Sequence, residues 1–309
     1  MSTTTPTFGS SGRESHNADR FYSQTGIPSI DGTPSHDLAE IQPSGALSGF
    51  VEIGDACALD LVDRCAALVV TSPPYFAGKD YETDATWAGY LELLDGFIAE
   101  AWRVLEPGGR IAVNAAGIGR APYIPLPHLI ADVLTRHGFV LRGEIVWRKA
   151  EGASGSCAWG SFRSASNPTL RDVTERVVVA SKGQMARCGK PAARETAGLP
   201  HRSTISKEAF LRDTLDVWSI RPESAKRVGH PAPFPVELPQ RLIELFTFAG
   251  DLVVDPFAGA GTTGVAAKQT GRRFYGVDLD DRYVDLANTR IGSAAAWIDP
   301  DTAWTVPPF

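Results

Sequence analysis

The sequence predicts an α/β fold, a mixed and mainly parallel sheet with helices on both faces, and three observations carry that expectation. The run Val253-Val254-Asp255-Pro256-Phe257-Ala258-Gly259-Ala260-Gly261-Thr262-Thr263-Gly264, then a short helical stretch and Arg273-Phe274-Tyr275-Gly276-Val277-Asp278, reads as strand, glycine turn, helix, strand, acid. Only about thirty residues follow Asp278, too few for the remaining strands of a doubly wound domain, so these must come from the N-terminal half and the chain order is permuted. Such strands are present: Val51-Glu52-Ile53-Gly54-Asp55-Ala56 ends in an acid, and a short helix then leads to the apolar run Ala67 to Val70 and the turn Thr71-Ser72-Pro73-Pro74-Tyr75.

Residues 1 to about 45 are rich in Ser, Thr, Gly and Pro without helical or strand periodicity, which predicts a flexible tail before a catalytic domain over 46–309. From Trp87 to Leu105, Leu91, Leu94, Phe97, Ile98, Ala101, Trp102 and Leu105 recur at helical spacing. Glu106-Pro107-Gly108-Gly109 stops that helix, and Arg110 to Asn114 forms the next strand. A helix around Pro127 to His137 feeds a strand near Val140 to Trp147. Val177-Val178-Val179-Ala180 is expected as a buried strand, and Leu242, Ile243, Leu245 and Phe246 as one face of a helix.

Charge is segregated along the chain. Residues 142–230 hold 16 Lys and Arg against 9 Asp and Glu, a net of +7 within a chain of net −6. A formally acidic protein still binds a polyanion when one face concentrates its cations, whereas the bland alternative is a solvated basic loop region. At 309 residues and 43% hydrophobic content the chain can bury a full α/β core. No stretch is apolar enough to cross a membrane, and Met1 to Thr5 has no secretory pattern, so a cytoplasmic location is expected. Cys57, Cys65, Cys157 and Cys188 are scattered without a CxxC pair, which predicts reduced thiols, neither a disulfide framework nor a metal site.

Thr71 to Tyr75 joins a hydroxyl, a rigid backbone poor in N–H donors and an aromatic face, equipment for gripping a flat ring that bears an amine. Gly259, Gly261 and Gly264 satisfy a GxGxxG pattern with Asp278 near the spacing of a ribose acid, so a nicotinamide-dependent oxidoreductase competes at this point.

Taken in order, these segments resemble the amino-directed DNA methyltransferases that use S-adenosylmethionine, in the β-group arrangement where the catalytic motif precedes the cofactor motif. The resemblance covers roughly residues 48 to 292, through Thr71 to Tyr75, Asp255 to Gly261, Asp278 and His230-Pro231-Ala232-Pro233-Phe234-Pro235. It implies a circularly permuted Rossmann-like methyltransferase fold with a target-recognition insertion over 150–228, of which Gly183 to Ser219 is the best candidate for sequence readout. Ser72, Pro73, Pro74 and Tyr75 are the implied catalytic residues, with Ser72 Oγ and the Pro73 carbonyl accepting from the amine and Tyr75 stacking on a flipped base. Asp255, Phe257, Gly259, Gly261 and Asp278 are expected against the methionine and ribose portions of S-adenosylmethionine, and Asp55 and Ala56 against adenine, on the reasoning that the strand before the catalytic strand is its sheet neighbour. His230 and Thr262 are further cofactor candidates, each also readable as a local turn or cap residue. Arg148, Lys149 and Arg171 are expected on the DNA face, and Trp159 and Phe162 stack on bases or pin their loop.

The implied partner is double-stranded DNA, with a cognate restriction endonuclease in prospect and a monomeric or homodimeric state left open. Cytosine C5 chemistry is excluded, because in the related family it needs a cysteine following proline, and none of the four does. Family members that modify cytosine N4 usually begin the catalytic motif with Ser, so Ser72 favours that amine over adenine N6, which stays open. A nicotinamide dehydrogenase lacks a proton-transfer residue placed near a hydride site, and a non-catalytic DNA-binding protein would not need both motifs. No metal is required by the expected chemistry.

Overall fold

The computed structural model describes residues 12–13, 16–17, 37–42, 49–76, 86–119, 122–150, 160–223, 228 and 234–298. The chain divides into two compact units, Met1–Thr33 and Pro34–Phe309. In the first, Gly12–Arg13 pairs antiparallel with His16–Asn17; the remainder of the expected tail lies outside the described residues up to Asp37. Residues 37–42 are tied down within the second unit, where Glu40 pairs with Arg64 at 2.9 Å and Gln42 N–H donates to the Arg64 carbonyl.

In the second unit the described strands are β1 Val51–Ile53, β2 Ala66–Thr71, β3 Leu105–Ala115, β4 Phe139–Arg148, β5 Thr174–Lys182, β6 Val217–Ser219, β7 Leu252–Asp255 and β8 Arg273–Asp278. The helices are α1 Trp87–Val104, α2 Leu126–Arg136, α3 Pro191–Thr196, α4 Lys207–Asp213, α5 Glu237–Phe246, α6 Thr262–Gln269 and α7 Asp281–Ser293. All eight strands form one sheet in the order β1-β8-β7-β2-β3-β5-β4-β6, and β5 alone runs against its neighbours.

Central strands are continuously apolar because helices cover both faces. Along β2 the alternation is direct: Val69 packs into the core with Phe97, Ile98 and Ala101 of α1, while Leu68 and Val70 join Leu242 and Ile243 of α5 and Ala266 of α6 on the opposite face. The same split divides Val178 and Ala180 from Val177 and Val179 on β5. Thr86 caps α1 by accepting from Gly89 N–H, and Leu94, Phe97, Ile98 and Ala101 are buried as the spacing predicts, whereas Leu91 is 37% exposed.

Three expectations are corrected. No helix joins β1 to β2; residues 54–65 form turns instead. Glu106-Pro107-Gly108-Gly109 lies inside β3, where the register against β2 jumps from Ala66–Leu105 to Leu68–Arg110, so the glycines make a bulge instead of a stop. β1 is not the neighbour of β2: β8 and β7 stand between them, and the outer edge of β1 is satisfied by Asn288 of α7, whose side chain exchanges hydrogen bonds with Val51 N–H and carbonyl. Being antiparallel, β5 carries the chain away from the strand C-termini, so the residues directly after Lys182 emerge at the opposite edge of the sheet. There Arg187 binds Glu106 at 2.6 Å and Asp251 at 2.5 Å, and Arg194 binds Glu106 and the Cys188 and Pro200 carbonyls, with guanidinium groups almost fully buried. Arg187 and Arg194 are thus held in internal ion pairs at that edge.

Candidate active site

Most of the wall of a cavity of about 390 Å³ comes from the C-terminal edge of the parallel strands and the start of β5, with Leu93 of α1, Tyr283 of α7 and Phe234 completing it. The loops there are free to diverge from the sheet, which is why parallel α/β proteins place ligands at this edge.

One half is the glycine turn between β7 and α6. Gly259 has φ 48° and Gly261 φ 70°, left-handed values that let the backbone fold back under the end of β8. A Cβ on Gly261 would lie 2.8 Å from the Ala287 side chain and 2.9 Å from its Cα, so the glycine also lets α7 close on the turn. Asp278 ends β8 and fixes the loop: Oδ2 accepts from Gly259 N–H at 2.9 Å and Oδ1 from Asp280 N–H at 3.0 Å, leaving lone pairs on both oxygens. Phe257 supplies an apolar wall and is held edge-on to Phe97, at 5.2 Å between centroids. Gly54, Asp55 and Ala56 close the far side, and Asp55 turns its backbone by accepting from Cys57 N–H.

Asp255 does not line the cavity. It is 1% exposed; Oδ1 accepts from Thr71 Oγ1 at 2.7 Å and Phe257 N–H at 3.1 Å, and Oδ2 from Thr263 Oγ1 at 2.6 Å. Burial pushes its carboxyl up to about 6, against the pull of those three donors. Its place is therefore a tie between the end of β2 and the glycine turn. Gly261 also sits behind the wall, while Thr262 reaches it.

The second half is the turn after β2. Ser72, Pro73, Pro74 and Tyr75 all line the cavity, and Phe76 follows with a φ of 54°, rare for a non-glycine residue. Phe76 packs on Trp87 and Tyr90 of α1, which anchors the turn. Ser72 Oγ lies 3.0 Å from the Tyr75 hydroxyl. That hydroxyl donates to Glu175 Oε2 at 3.0 Å and accepts from Asn114 Nδ2 at 2.9 Å; Asn114 Nδ2 also reaches Glu175 at 2.6 Å, and Lys149 Nζ reaches the other carboxylate oxygen at 2.6 Å. Burial, then the negative charge of Glu175, push the Tyr75 phenol well above its ordinary range. Asn114 Oδ1 is buried in this wall with no hydrogen-bond partner among the described residues.

Sequence reasoning gave Asn114 no site role, and it reached Trp147 and Glu175 only through the family resemblance, which places the segments Ile145 to Lys149 and Arg171 to Arg176 beside the target pocket and DNA cleft. The available signal is a polar side chain at the end of an apolar strand run, Asn114 after Ile111-Ala112-Val113 and Glu175 before Val177 to Ala180. Arg148, Lys149 and Arg171 do not line the cavity: Arg148 hydrogen-bonds Ser219, and Lys149 faces Glu175. His230 and Trp159 lie outside the described residues, although Phe234 from the same segment as His230 lines the cavity. Phe162 is 67% exposed. Burial pushes the Cys57 and Cys65 thiols up to about 11, which leaves them protonated and poor nucleophiles.

A close-approach glycine turn, a carboxylate with spare acceptor capacity and an aromatic wall fit a nucleoside ligand. Comparison with known proteins agrees. The family model for N6/N4 DNA methylases matches residues 66–289. The type II methyltransferase M.BglI of Bacillus subtilis is 27% identical over 74% of this chain and 81% of its own, and M.Cfr9I of Citrobacter freundii is 28% identical over 74% and 81%. TTHA0409 of Thermus thermophilus, solved with S-adenosyl-L-methionine, superposes with a TM-score of 0.63 at 30% identity, covering 79% of this chain and 93% of that one. The cytosine-N4-specific PvuII methyltransferase shares the fold, with a TM-score of 0.58 at 20% identity over 84% and 92%. Among the described residues no helix is long and apolar enough to cross a membrane. The chain belongs to the N6/N4 DNA methylase family, the S-adenosylmethionine-dependent methyltransferases that act on exocyclic amines of DNA bases.

Proposed function

We propose that this chain methylates the exocyclic N4 of cytosine at a specific sequence in double-stranded DNA, as the modification member of a restriction–modification pair. The observation that carries the reading is Ser72: its hydroxyl opens the Ser-Pro-Pro-Tyr turn in the same cavity as the Gly259 and Asp278 cradle. The type II names of the relatives support the sequence-specific role.

S-adenosylmethionine supplies an electrophilic methyl group when bound; Asp278, Gly259, Phe257, Thr262, Asp55 and Ala56 are the residues that would hold it. An aromatic amine shares its lone pair with the ring and becomes nucleophilic only as it pyramidalises. Ser72 Oγ and the Pro73 carbonyl accept from its two N–H groups and favour that geometry, and Tyr75 offers its ring as a stacking face for a base swung out of the duplex. The chain's contribution is orientation, with no covalent intermediate. DNA lies across the C-terminal edge of the sheet, with Arg148 and Arg171 in reach of its backbone.

The test is to incubate the protein with S-adenosylmethionine and genome-amplified, unmodified DNA, digest to nucleosides and identify the methylated base by mass. N4-methylcytosine is expected. N6-methyladenine as the sole product overturns the choice of base, and full activity in Ser72→Ala overturns the role of that hydroxyl.

A further inference from the structure

Three side chains of the cavity wall, with Lys149 outside it, form a continuous polar chain that binding alone does not require. Glu175 enters from the start of β5, Asn114 from the end of β3, Lys149 from just past β4 and Tyr75 from the turn after β2. An apolar wall would suit a flat base equally well, and a carboxylate whose side chain is 13% exposed is costly unless paired or used. Resting on the amine-methylation reading above, we propose that Glu175 is the final proton acceptor of the reaction, reached from the target amine through Ser72 and Tyr75.

The hydrogen bonds have a direction that permits this. Asn114 Nδ2 donates to the Tyr75 oxygen, and the Tyr75 proton has Glu175 Oε2 at 3.0 Å as its nearer acceptor, ahead of the Asn114 carbonyl at 3.4 Å. Ser72 Oγ lies 3.0 Å from the Tyr75 oxygen and 3.2 Å from the Asn114 carbonyl; the relay uses the nearer contact, with Tyr75 taking the serine proton and the Ser72 oxygen left for the amine. As the nitrogen lone pair forms the new N–C bond, the donor's C–S bond breaks with its electron pair going to sulfur. One N–H proton passes to Ser72 Oγ, the serine proton to Tyr75 and the tyrosine proton to Glu175; the N–H electron pair returns to nitrogen. Glu175 ends neutral and gives its proton to solvent after release. Neither hydroxyl stores charge, which suits a phenol that burial and Glu175 keep protonated. The titratable groups facing Glu175 are Lys149, 2.6 Å from Oε1, and Tyr75; Asn114 is neutral. Glu175 never touches the base and acts as a positioning residue, and Lys149 serves it by holding the carboxylate in place.

The experiment measures the single-turnover rate of methyl transfer to genome-amplified DNA from acid to alkaline pH, in wild type, Tyr75→Phe, Glu175→Gln and the double variant. Calorimetric S-adenosylmethionine affinity and DNA affinity are measured on the same proteins. Tyr75→Phe keeps the stacking ring and cuts the chain; it and Glu175→Gln are each expected to lose roughly 10²-fold in rate with both affinities unchanged. The double variant is expected to be no slower than the slower single variant, and the acid limb of the wild-type profile disappears in Glu175→Gln. A Tyr75→Phe rate equal to wild type, losses that multiply in the double variant, or an acid limb that survives in Glu175→Gln overturns the relay. Should Glu175→Gln lose cofactor or DNA affinity, Tyr75→Phe decides alone, because it leaves the Lys149–Glu175 pair intact. An active wild type with an equally active Tyr75→Phe removes the relay and leaves the reading of function standing; a wild type that methylates no DNA amine removes both.

Discussion

Asp255→Asn tests whether the carboxylate under the glycine turn is a buried tie whose ionisation the fold resists. The native carboxyl rises from 3.8 to about 6, chiefly through desolvation, and the residue is 1% exposed, so little solvent screening intervenes. A shift of about two units corresponds to about 3 kcal/mol, at about 1.4 kcal/mol per unit. Because the folded value lies above the unfolded one, the stability this group contributes is fully present below pH 3.8 and is lost as pH rises through about 6. Asparagine keeps one acceptor oxygen for Thr71 and Phe257 N–H and presents an amide to Thr263, whose hydroxyl can rotate to accept. Urea unfolding of both proteins across this range should show wild-type stability falling by about 3 kcal/mol relative to Asp255→Asn as pH rises. Parallel pH curves for the two proteins would refute the reasoning. Asp255→Ala removes the acceptor altogether. The two threonine hydroxyls can turn away but the Phe257 N–H cannot, so a pH-independent loss of about 1–3 kcal/mol is expected for that donor alone.

Gly261→Ala places a side chain at φ 70° and within 2.9 Å of the Ala287 backbone, so it should cost about 2–5 kcal/mol from left-handed strain plus overpacking, read as a fall in Tm and weaker S-adenosylmethionine binding by calorimetry. Arg187→Ala leaves Glu106 and Asp251 short of their main partner in the interior and should lower stability by about 3–5 kcal/mol. Since Arg187 lies at the sheet edge opposite the cavity, the folded variant should keep wild-type DNA affinity in a binding titration; a selective loss of DNA binding would return this stretch to target recognition.

The sequence by itself determined the elements whose signal is local. The apolar run of β2, the helical spacing of α1, the strand, glycine turn and acid from Val253 to Asp278, and the order of the two motifs are all legible, because side-chain period and backbone freedom are properties of neighbouring residues. From these follow the α/β class and the permutation, and Ser72 to Tyr75, Asp55, Ala56, Phe257, Gly259 and Asp278 all line one cavity. The tertiary structure decided what depends on strand direction and on partners distant in sequence. Asp255 reads as a ligand contact within its own loop, yet its partner Thr71 is 184 positions away. Arg187 and Arg194 read as part of a DNA surface, yet the reversed direction of β5 delivers them to the far edge of the sheet, where Glu106 and Asp251 pair with them. Glu175 joins Tyr75 for the same reason: an antiparallel β5 begins beside the strands that end at the cavity, and an apolar strand run has the same sequence pattern whichever way it points.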